Sequence, residues 1–343
     1  MKKRIVYIII GILLIAGVIF FLSSVLKKDP LIVDISDINL KVEVERFDKE
    51  FENILYGDSY KKIQDITMEY QDFFDIYNKH IIGIGSVNNA SYLVYLNTFF
   101  NDYSVVEASK EVDKVFSDMR SINEDLTYSF RHIKYYYPEF EVPRIVSFIA
   151  GFNQSIVTMD GFIGIGLDKY FGEECSLYEM LDIPQYTRFE MTPEQITVDL
   201  VTALAKDRYT YEPESENLLN AMIYNGKILY FLDAIMPEFK EARKNKYTQD
   251  QLDFCYYYEK EMWTNLIENK LLFSSDYFTI RKFTENAPYT TQFGINSPPR
   301  AANWLGLQIV RSYMKHNNGV SLLDLMEDNN YQRILNLSQY SPK

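Results

Sequence analysis

The sequence predicts an α+β fold, predominantly α-helical around a small β-sheet and preceded by one N-terminal transmembrane helix. Apolar residues make up 47% of the 343 residues and aromatic residues 15%, so the chain can bury a sizeable core. Strand patterns occupy two short stretches, whereas helical periodicity fills long ones. A long uncharged run near the N-terminus accounts for the predicted membrane helix.

The N-terminus has the features of a membrane anchor. A basic start at residues 1–4 precedes an uncharged run from Ile5 to Leu26, and two lysines follow it. As a helix, this run covers the roughly 30 Å hydrocarbon core of a bilayer. Because the basic start is expected to stay in the cytoplasm, everything after Leu26 is predicted to lie outside the cytoplasm.

A cleavable signal peptide is the alternative interpretation of this segment. Its apolar region is usually shorter than this run, and it ends in small residues, for which Ser23 and Ser24 are the candidates. A lipoprotein signal needs a cysteine just after the apolar run, and the sequence has none there. We therefore predict an uncleaved anchor, a linker over residues 27–39 and a single domain over residues 40–343.

The charge and the cysteines limit the partners and the cross-links. The formal net charge is −13, which argues against binding nucleic acid or an anionic bilayer surface. The two cysteines, Cys175 and Cys255, could pair in an oxidising compartment, but sequence alone supplies no geometry to decide this.

Two segments have strand signatures. Apolar residues at positions 40, 42 and 44 alternate with charged ones, which predicts a half-buried strand. Apolar pairs at 156–157 and 162–163 flank Asp160-Gly161, a two-residue turn that typically joins antiparallel strands. The glycines of residues 161–166 do not match a dinucleotide-binding loop, so we assign them to a strand.

Helices are predicted over most of the remainder. Thr192-Pro193-Glu194-Gln195 is a typical helix start with Thr192 as N-cap, and the helix from Ile196 to Ala205 is apolar nearly all round. A helical period also runs through residues 47–137. Further helices are predicted over residues 215–235, 248–270, 300–316 and 321–336.

Motifs for metal or nucleophile chemistry are missing from the sequence. His80, His132 and His316 are far apart, and a helical zinc site needs two histidines one turn apart. The sequence contains no CxxC pair, no GxSxG motif and no Gly-rich phosphate loop. We therefore predict no metal and no cofactor.

Asp199 is the residue of greatest chemical interest, because it is a lone charge in an apolar helix. A buried carboxylate needs a charged or hydrogen-bonding partner. We expect a structural ion pair with a downstream arginine such as Arg300 or Arg311. The alternative is a functional carboxylate with a raised pKa.

The C-terminal half resembles the gliding-motility lipoprotein GldB family. The resemblance covers most of residues 40–340, and its most specific parts run from Met222 to Lys227 and from Trp304 to Tyr313. In chain order, the similar runs are VEVERFDKEF (42–51), FIGIGLDKYFG (162–172), AMIYNGKILYFLDAIMP (221–237), DFCYYYEKEMWTNLIENKLLFSSD (253–276) and SPPRAANWLGLQIVRSYMKHN (297–317).

The resemblance implies a non-enzymatic cell-envelope component of the gliding apparatus of Bacteroidetes, which is linked to type IX secretion. Its implied partners are other envelope proteins of gliding and secretion. Family members are typically lipidated, whereas this chain lacks the acceptor cysteine. We therefore expect the bulk of the chain in the periplasm, anchored in the inner membrane by residues 5–26. The alternative is an outer-membrane-associated location.

The family is also distantly similar to zincin-type metallopeptidases, so the resemblance implies a degenerate zincin-like scaffold. In one register, Val198 to Thr202 occupies the HExxH place and Asn225-Gly226 stands near the third ligand. In this register, all three ligand positions lack metal-binding side chains. The chain departs from the family pattern a second time at Pro298-Pro299-Arg300 with Ala302, where the resemblance leads us to expect glycines after the first proline and two residues beyond the arginine.

Two other functions remain open from the sequence. A glycan- or peptide-binding protein would have a groove lined by the tyrosines at 135–137 or 256–258, although simple packing also explains them. A divergent hydrolase would gather carboxylates around Asp199 in one cleft, and Glu194, Glu268 and His316 are the candidates for it. The candidate structural or binding residues are Asp199, Asn225, Gly226, Arg300, Trp304 and Arg311.

Overall fold

The computed structural model describes residues 30–343. The predicted anchor from Ile5 to Leu26 and the basic start before it lie outside the described residues. Within the described part, no helix is both long and apolar enough to cross a bilayer. This part is predominantly helical and holds a four-stranded sheet, so the α+β prediction is confirmed.

The sheet of the described chain is mixed. Its strands are β1 (Val44–Glu45), β2 (Arg144–Phe148), β3 (Ile156–Met159) and β4 (Phe162–Gly166), in the order β1-β2-β4-β3. Strands β1, β2 and β4 are parallel, and β3 pairs antiparallel with β4 at one edge. Met159 lies opposite Phe162, and Gly161 at φ +73° completes the turn, so the predicted hairpin is confirmed.

The first predicted strand is shorter than its alternating pattern suggests. Val44 and Glu45 pair with β2, while the backbone N–H groups of Val42 and Val44 donate to the side chains of Thr127 and Asn123. These helix side chains satisfy backbone donors of this segment at the edge of the sheet. The alternating pattern therefore indicates that one face of this segment is buried, but it does not indicate how many residues pair with β2.

Five helices of the described chain precede β2, and they cover both faces of the sheet. They are α1 (Phe47–Glu52), α2 (Ser59–Ile76), α3 (Tyr92–Phe100), α4 (Tyr103–Val115) and α5 (Arg120–Tyr136). On one face, Phe47 packs edge-on against Tyr70 and Phe73, at ring-centroid distances of 4.9 and 5.0 Å. Val146 and Phe148 of β2 join this aromatic core, whereas Ile145 joins the larger core on the opposite face.

The helices that follow β4 surround the larger core. They are α6 (Ser176–Met180), α7 (Gln185–Arg188), α8 (Gln195–Arg208), α9 (Leu218–Ile235), α10 (Glu241–Asn245), α11 (Gln249–Tyr257), α12 (Glu259–Glu268), α13 (Tyr277–Thr284), α14 (Ala301–His316), α15 (Leu322–Glu327) and α16 (Tyr331–Ser338). The predictions over 248–270 and 321–336 each correspond to two helices, with breaks at Tyr258 and at residues 328–330.

The start of α8 differs from the prediction. Glu194, not Thr192, is the N-cap, and no side chain makes a capping hydrogen bond there. The backbone N–H of Gln195 donates to the Thr192 carbonyl in a preceding turn, and the guanidinium of Arg243 donates to the Glu194 carbonyl. A tertiary contact thus takes part in fixing this end of the helix.

Helices α9 and α14 cross at two glycines. A Cβ added to Gly306 would lie 1.9 Å from the carbonyl oxygen of Met222, and one added to Gly226 would lie 2.3 Å from the Gly306 carbonyl carbon. Because both obstacles are backbone atoms, no side-chain movement can make room. Gly226 is therefore required by helix packing.

The two cysteines do not form a bridge. Cys175 is half-buried and Cys255 is fully buried, and both are free thiols. Burial raises the pKa of the Cys255 thiol, which keeps it protonated and unreactive.

Asp168 holds the turn that follows β2. Its Oδ2 accepts hydrogen bonds from the backbone N–H groups of Ala150 and Phe152, and Phe152 has a left-handed φ of +67°. The side chain is fully buried, and its Oδ1 has no hydrogen-bond partner among the described residues. Burial raises the pKa of this carboxyl to about 6, although the two backbone donors oppose the shift.

The raised pKa of Asp168 predicts a pH dependence of stability. Between about pH 4 and pH 6, the folded chain keeps a proton that the unfolded chain has released, so stability falls as pH rises. We expect this carboxyl to account for a loss of about 2–3 kcal/mol over that window. Urea titrations of the wild type and Asp168→Asn across the window measure the difference. Parallel pH profiles for the two proteins would contradict this prediction.

Candidate functional site

Asp199 lies on α8 and is engaged at both carboxylate oxygens. Its Oδ2 accepts a hydrogen bond of 2.9 Å from the Tyr170 hydroxyl, and its Oδ1 is 2.6 Å from the Lys246 ammonium nitrogen. The predicted structural ion pair therefore exists with a different cation. It forms with Lys246, not with Arg300 or Arg311, because the loop after α10 brings Lys246 closer to α8.

Glu190 connects Arg300 to this pair. Its Oε1 is 2.7 Å from an Arg300 terminal nitrogen, and its Oε2 is 3.4 Å from the Lys246 nitrogen. Tyr170, Glu190, Asp199, Lys246 and Arg300 together form what we call the Asp199 cluster. Its four charged side chains are 13–24% exposed, so solvent screens their interactions only partly.

The two basic residues of the cluster, Lys246 and Arg300, both have a left-handed backbone conformation. Lys246 has φ +56° and Arg300 has φ +55°, a conformation that costs a non-glycine residue about 1–2 kcal/mol. The two positions are tied together, since Arg300 donates to the Lys246 carbonyl and Tyr247 donates its hydroxyl to the Arg300 carbonyl. Strain of this kind is often found at functional sites, which marks the cluster as a candidate.

The electrostatics of the cluster favour fixed charges. Burial alone would lower the pKa of Lys246, but Asp199 and Glu190 outweigh it and raise that pKa above its usual value. Burial raises the pKa of the Tyr170 hydroxyl, and Asp199 raises it further. Lys246 therefore stays charged and Tyr170 stays neutral at physiological pH.

An open cleft of about 370 Å³ adjoins the cluster. Glu190 and Lys246 line it, whereas Asp199 does not. Its other walls include Tyr186, Phe189 and Glu173, so the cleft combines apolar surface with two acids and one base. This combination suits a segment of chain that presents both apolar and polar groups.

Arg311 belongs to a second network of charges. Asp233 accepts from its Nε and from a terminal nitrogen, at 3.0 and 2.6 Å. The same carboxylate also pairs with Lys244 at 2.5 Å. Arg311 is therefore committed to Asp233 and lies outside the Asp199 cluster.

The remaining predicted site residues have packing or local roles. Trp304 is fully buried and packs edge-on against Tyr256 at 5.1 Å. Asn225 donates from its side chain to a carbonyl of its own helix. Of the predicted candidates, only Asp199 and Arg300 belong to one cluster.

Sequence reasoning missed Tyr170, Glu190 and Lys246. Tyr170 stands four residues after β4, and its place just beyond a strand end is the only sequence signal that could have suggested a site residue there. Glu190 and Lys246 lie in short irregular segments with no periodic signal, and they meet Asp199 only through the tertiary fold.

The positions compared with the metal ligands of a metallopeptidase hold Val198 and Thr202, and Asp199 stands at the place of the motif's glutamate. Val198 is fully buried, and the Thr202 hydroxyl donates to the Val198 carbonyl. Within residues 30–343, no three His, Cys, Asp or Glu side chains are grouped so that they could hold a metal ion. No hydrogen bond or ion pair of the described chain links Glu194, Glu268 or His316 to Asp199.

The two tyrosine triplets do not form continuous platforms. Tyr137 is buried, and the Tyr256 hydroxyl donates to Glu241. Tyr258 is 40% exposed and lines a separate cavity of about 500 Å³. In each triplet two neighbouring rings meet edge-on, so the three rings do not share one flat stacking face.

Comparison with known proteins identifies the family. A family model described as gliding motility protein GldB matches residues 28–342, which include every described element. No curated protein and no solved structure gives a significant match. The match extends from the linker through the sheet, the Asp199 cluster and the α9–α14 crossing to the last helix. The chain therefore belongs to the gliding motility protein GldB family.

Proposed function

We propose that this protein is a membrane-tethered, non-enzymatic component of a gliding-motility apparatus coupled to type IX secretion. The family match over residues 28–342 carries the proposal. Residues 5–26 serve as an uncleaved tether and hold the domain on the periplasmic side of the inner membrane. The lipoprotein character of the family supports an envelope location.

The geometry at α8 supports a binding role over a catalytic one. A general acid or base needs a titratable group that can reach a substrate. In this cluster, Asp199 is occupied by Lys246 and Tyr170 and does not line the cleft. We assign the Asp199 cluster the task of holding α8 against the loops that carry Lys246 and Arg300.

The scaffold supports the proposal in a second respect. A mixed sheet with an antiparallel edge strand, followed by the buried helix α8 and the buried helix α9, fits a zincin-like arrangement. The positions that would carry the metal ligands hold Val198 and Thr202. The cleft beside the Asp199 cluster would then bind other envelope proteins of the gliding and secretion machinery.

Depletion in the native host tests the proposal. We expect depleted cells to lose colony spreading and to secrete fewer type IX substrates, and a wild-type copy to restore both. The secreted proteome and spreading on soft agar measure these effects. Normal spreading and secretion after complete depletion would contradict a role in the apparatus.

Glycan binding is the second candidate, and the Tyr258 cavity favours it. The ring centroids of Phe254 and Tyr258 lie 4.6 Å apart there. The polar groups that line the same cavity belong to Asn265, Gln292 and Glu261. Aromatic faces combined with amide donors and acceptors match the alternating apolar and hydroxyl surfaces of a sugar. Binding of the detergent-purified chain to isolated cell-wall glycan, abolished by Tyr258→Ala, would favour this function.

A further inference from the structure

A small cavity of about 200 Å³ lies where the end of α8, the middle of α9 and the end of α15 meet. Arg208, Lys227 and Glu327 are the charged residues that line it. It is separate from the Asp199 cluster, and none of its lining residues belongs to that cluster. Its two cations have no carboxylate partner among residues 30–343, which is unusual in a chain of net charge −13.

Lys227 is a buried cation without a counter-ion. It is 1% exposed, and within residues 30–343 no carboxylate oxygen lies within 4.0 Å of its nitrogen. The ammonium group donates one hydrogen bond, of 2.7 Å, to the Asp328 carbonyl and lies 5.5 Å from the Tyr331 ring centroid. By contrast, the similarly buried Lys244 pairs with Asp233 at 2.5 Å.

Arg208 lines the same cavity, and the two terminal nitrogens of its guanidinium are available as hydrogen-bond donors. Its Nε donates to the Tyr209 hydroxyl at 3.2 Å, and its guanidinium lies over the rings of Tyr137 and Tyr209. In the described chain, no acceptor takes a hydrogen bond from its two terminal nitrogens. The stacking fixes the orientation of the guanidinium, so the donors are held in place without being occupied.

The helix dipole accounts for the position of Arg208 but not for that of Lys227. A basic residue at the C-terminal end of α8 is favourable because of that dipole, and this covers Arg208. It does not cover Lys227, which lies in the middle of α9. A buried ammonium is costly unless it is paired, and the neighbouring Asp328 carboxylate is already paired with Arg333.

We propose that this cavity binds a small oxyanion, a carboxylate or a phosphate group, between Lys227 and Arg208. The planar guanidinium fork matches two oxygens of such a group, and the ammonium supplies a point charge on the other side. The volume suits a single acidic group and is too small for a nucleotide. Burial lowers the pKa of Lys227 to about 8, and a bound anion would raise it again.

Calorimetric titration of the detergent-purified full chain at neutral pH tests the proposal, with succinate and inorganic phosphate as probes. We expect saturable binding of at least one of them, weakened about tenfold or more in Lys227→Met and in Arg208→Gln. Lys260→Met, at an exposed lysine away from the cavity, is the matched control and should bind as the wild type does. The preferred probe distinguishes a carboxylate ligand from a phosphate ligand.

A second readout does not depend on the heat of binding. The bound anion should protect the exposed Arg208 from modification by phenylglyoxal, as measured by mass spectrometry, while Arg281, an exposed arginine that does not line the cavity, should be modified equally with and without the probe. Arg208→Gln changes an exposed side chain, so it remains informative even if Lys227→Met fails to fold. Absence of saturable binding up to about 50 mM of both probes, or unchanged binding in Arg208→Gln, would overturn the proposal.

Discussion

Asp199→Ala is expected to lower the free energy of unfolding by about 2–3 kcal/mol, because it leaves the Lys246 ammonium with only the more distant Glu190. The Tyr170 hydroxyl also loses its acceptor. The value is below that for a fully buried pair, since both side chains keep some contact with water. Urea denaturation of the purified chain, followed by far-UV circular dichroism, measures the change.

The double variant Asp199→Leu with Lys246→Met is the control for that prediction. Removing both partners leaves no unpaired charge, so the double variant should be more stable than Asp199→Ala. If Asp199→Ala unfolds at the wild-type urea concentration, the ion pair contributes nothing to the fold. If the variant also loses function, Asp199 belongs to a functional site instead.

Gly306→Ala is expected to have the larger effect, a loss of about 3 kcal/mol or more, or failure to fold. The added Cβ would lie 1.9 Å from the Met222 carbonyl oxygen, so α9 and α14 would have to separate along their contact. Both helices are buried through most of their length, and their separation would open the main core. Thermal melting and the yield of folded protein measure the loss.

Gly319→Ala is the matched control for the helix crossing. An added Cβ at Gly319 meets no atom within 4 Å, and its backbone is not left-handed. We expect the free energy of unfolding of this variant to lie within about 0.5 kcal/mol of the wild-type value. Equal melting temperatures for Gly306→Ala and the wild type would mean that the crossing is not tightly packed.

Periodic and turn signals made much of the fold predictable. The Asp160-Gly161 turn located the hairpin, and the apolar periodicity located α8, α9 and α14. The ends of the helices were harder to predict, because contacts with residues distant in sequence help to determine them. The guanidinium of Arg243 bonds to the carbonyl of Glu194 at the start of α8, and nothing near Thr192 in sequence predicts that contact.

The site was predictable only in part. Asp199 could be singled out because a charge in an apolar helix requires a partner. The partner itself could not be identified, since Lys246 reaches Asp199 from a left-handed position that no glycine or asparagine marks. The same limit applies to Arg300, whose contact with Glu190 spans residues far apart in sequence.

The most direct test of a non-enzymatic role is colony spreading in depleted cells that express Asp199→Asn at the wild-type protein level. Asparagine keeps an acceptor for the Tyr170 hydroxyl and removes the ionisable group. If the protein acts by binding, these cells will spread as the wild type does. If the variant accumulates normally but spreading is lost, the Asp199 carboxylate takes part in chemistry, and the non-enzymatic role is wrong.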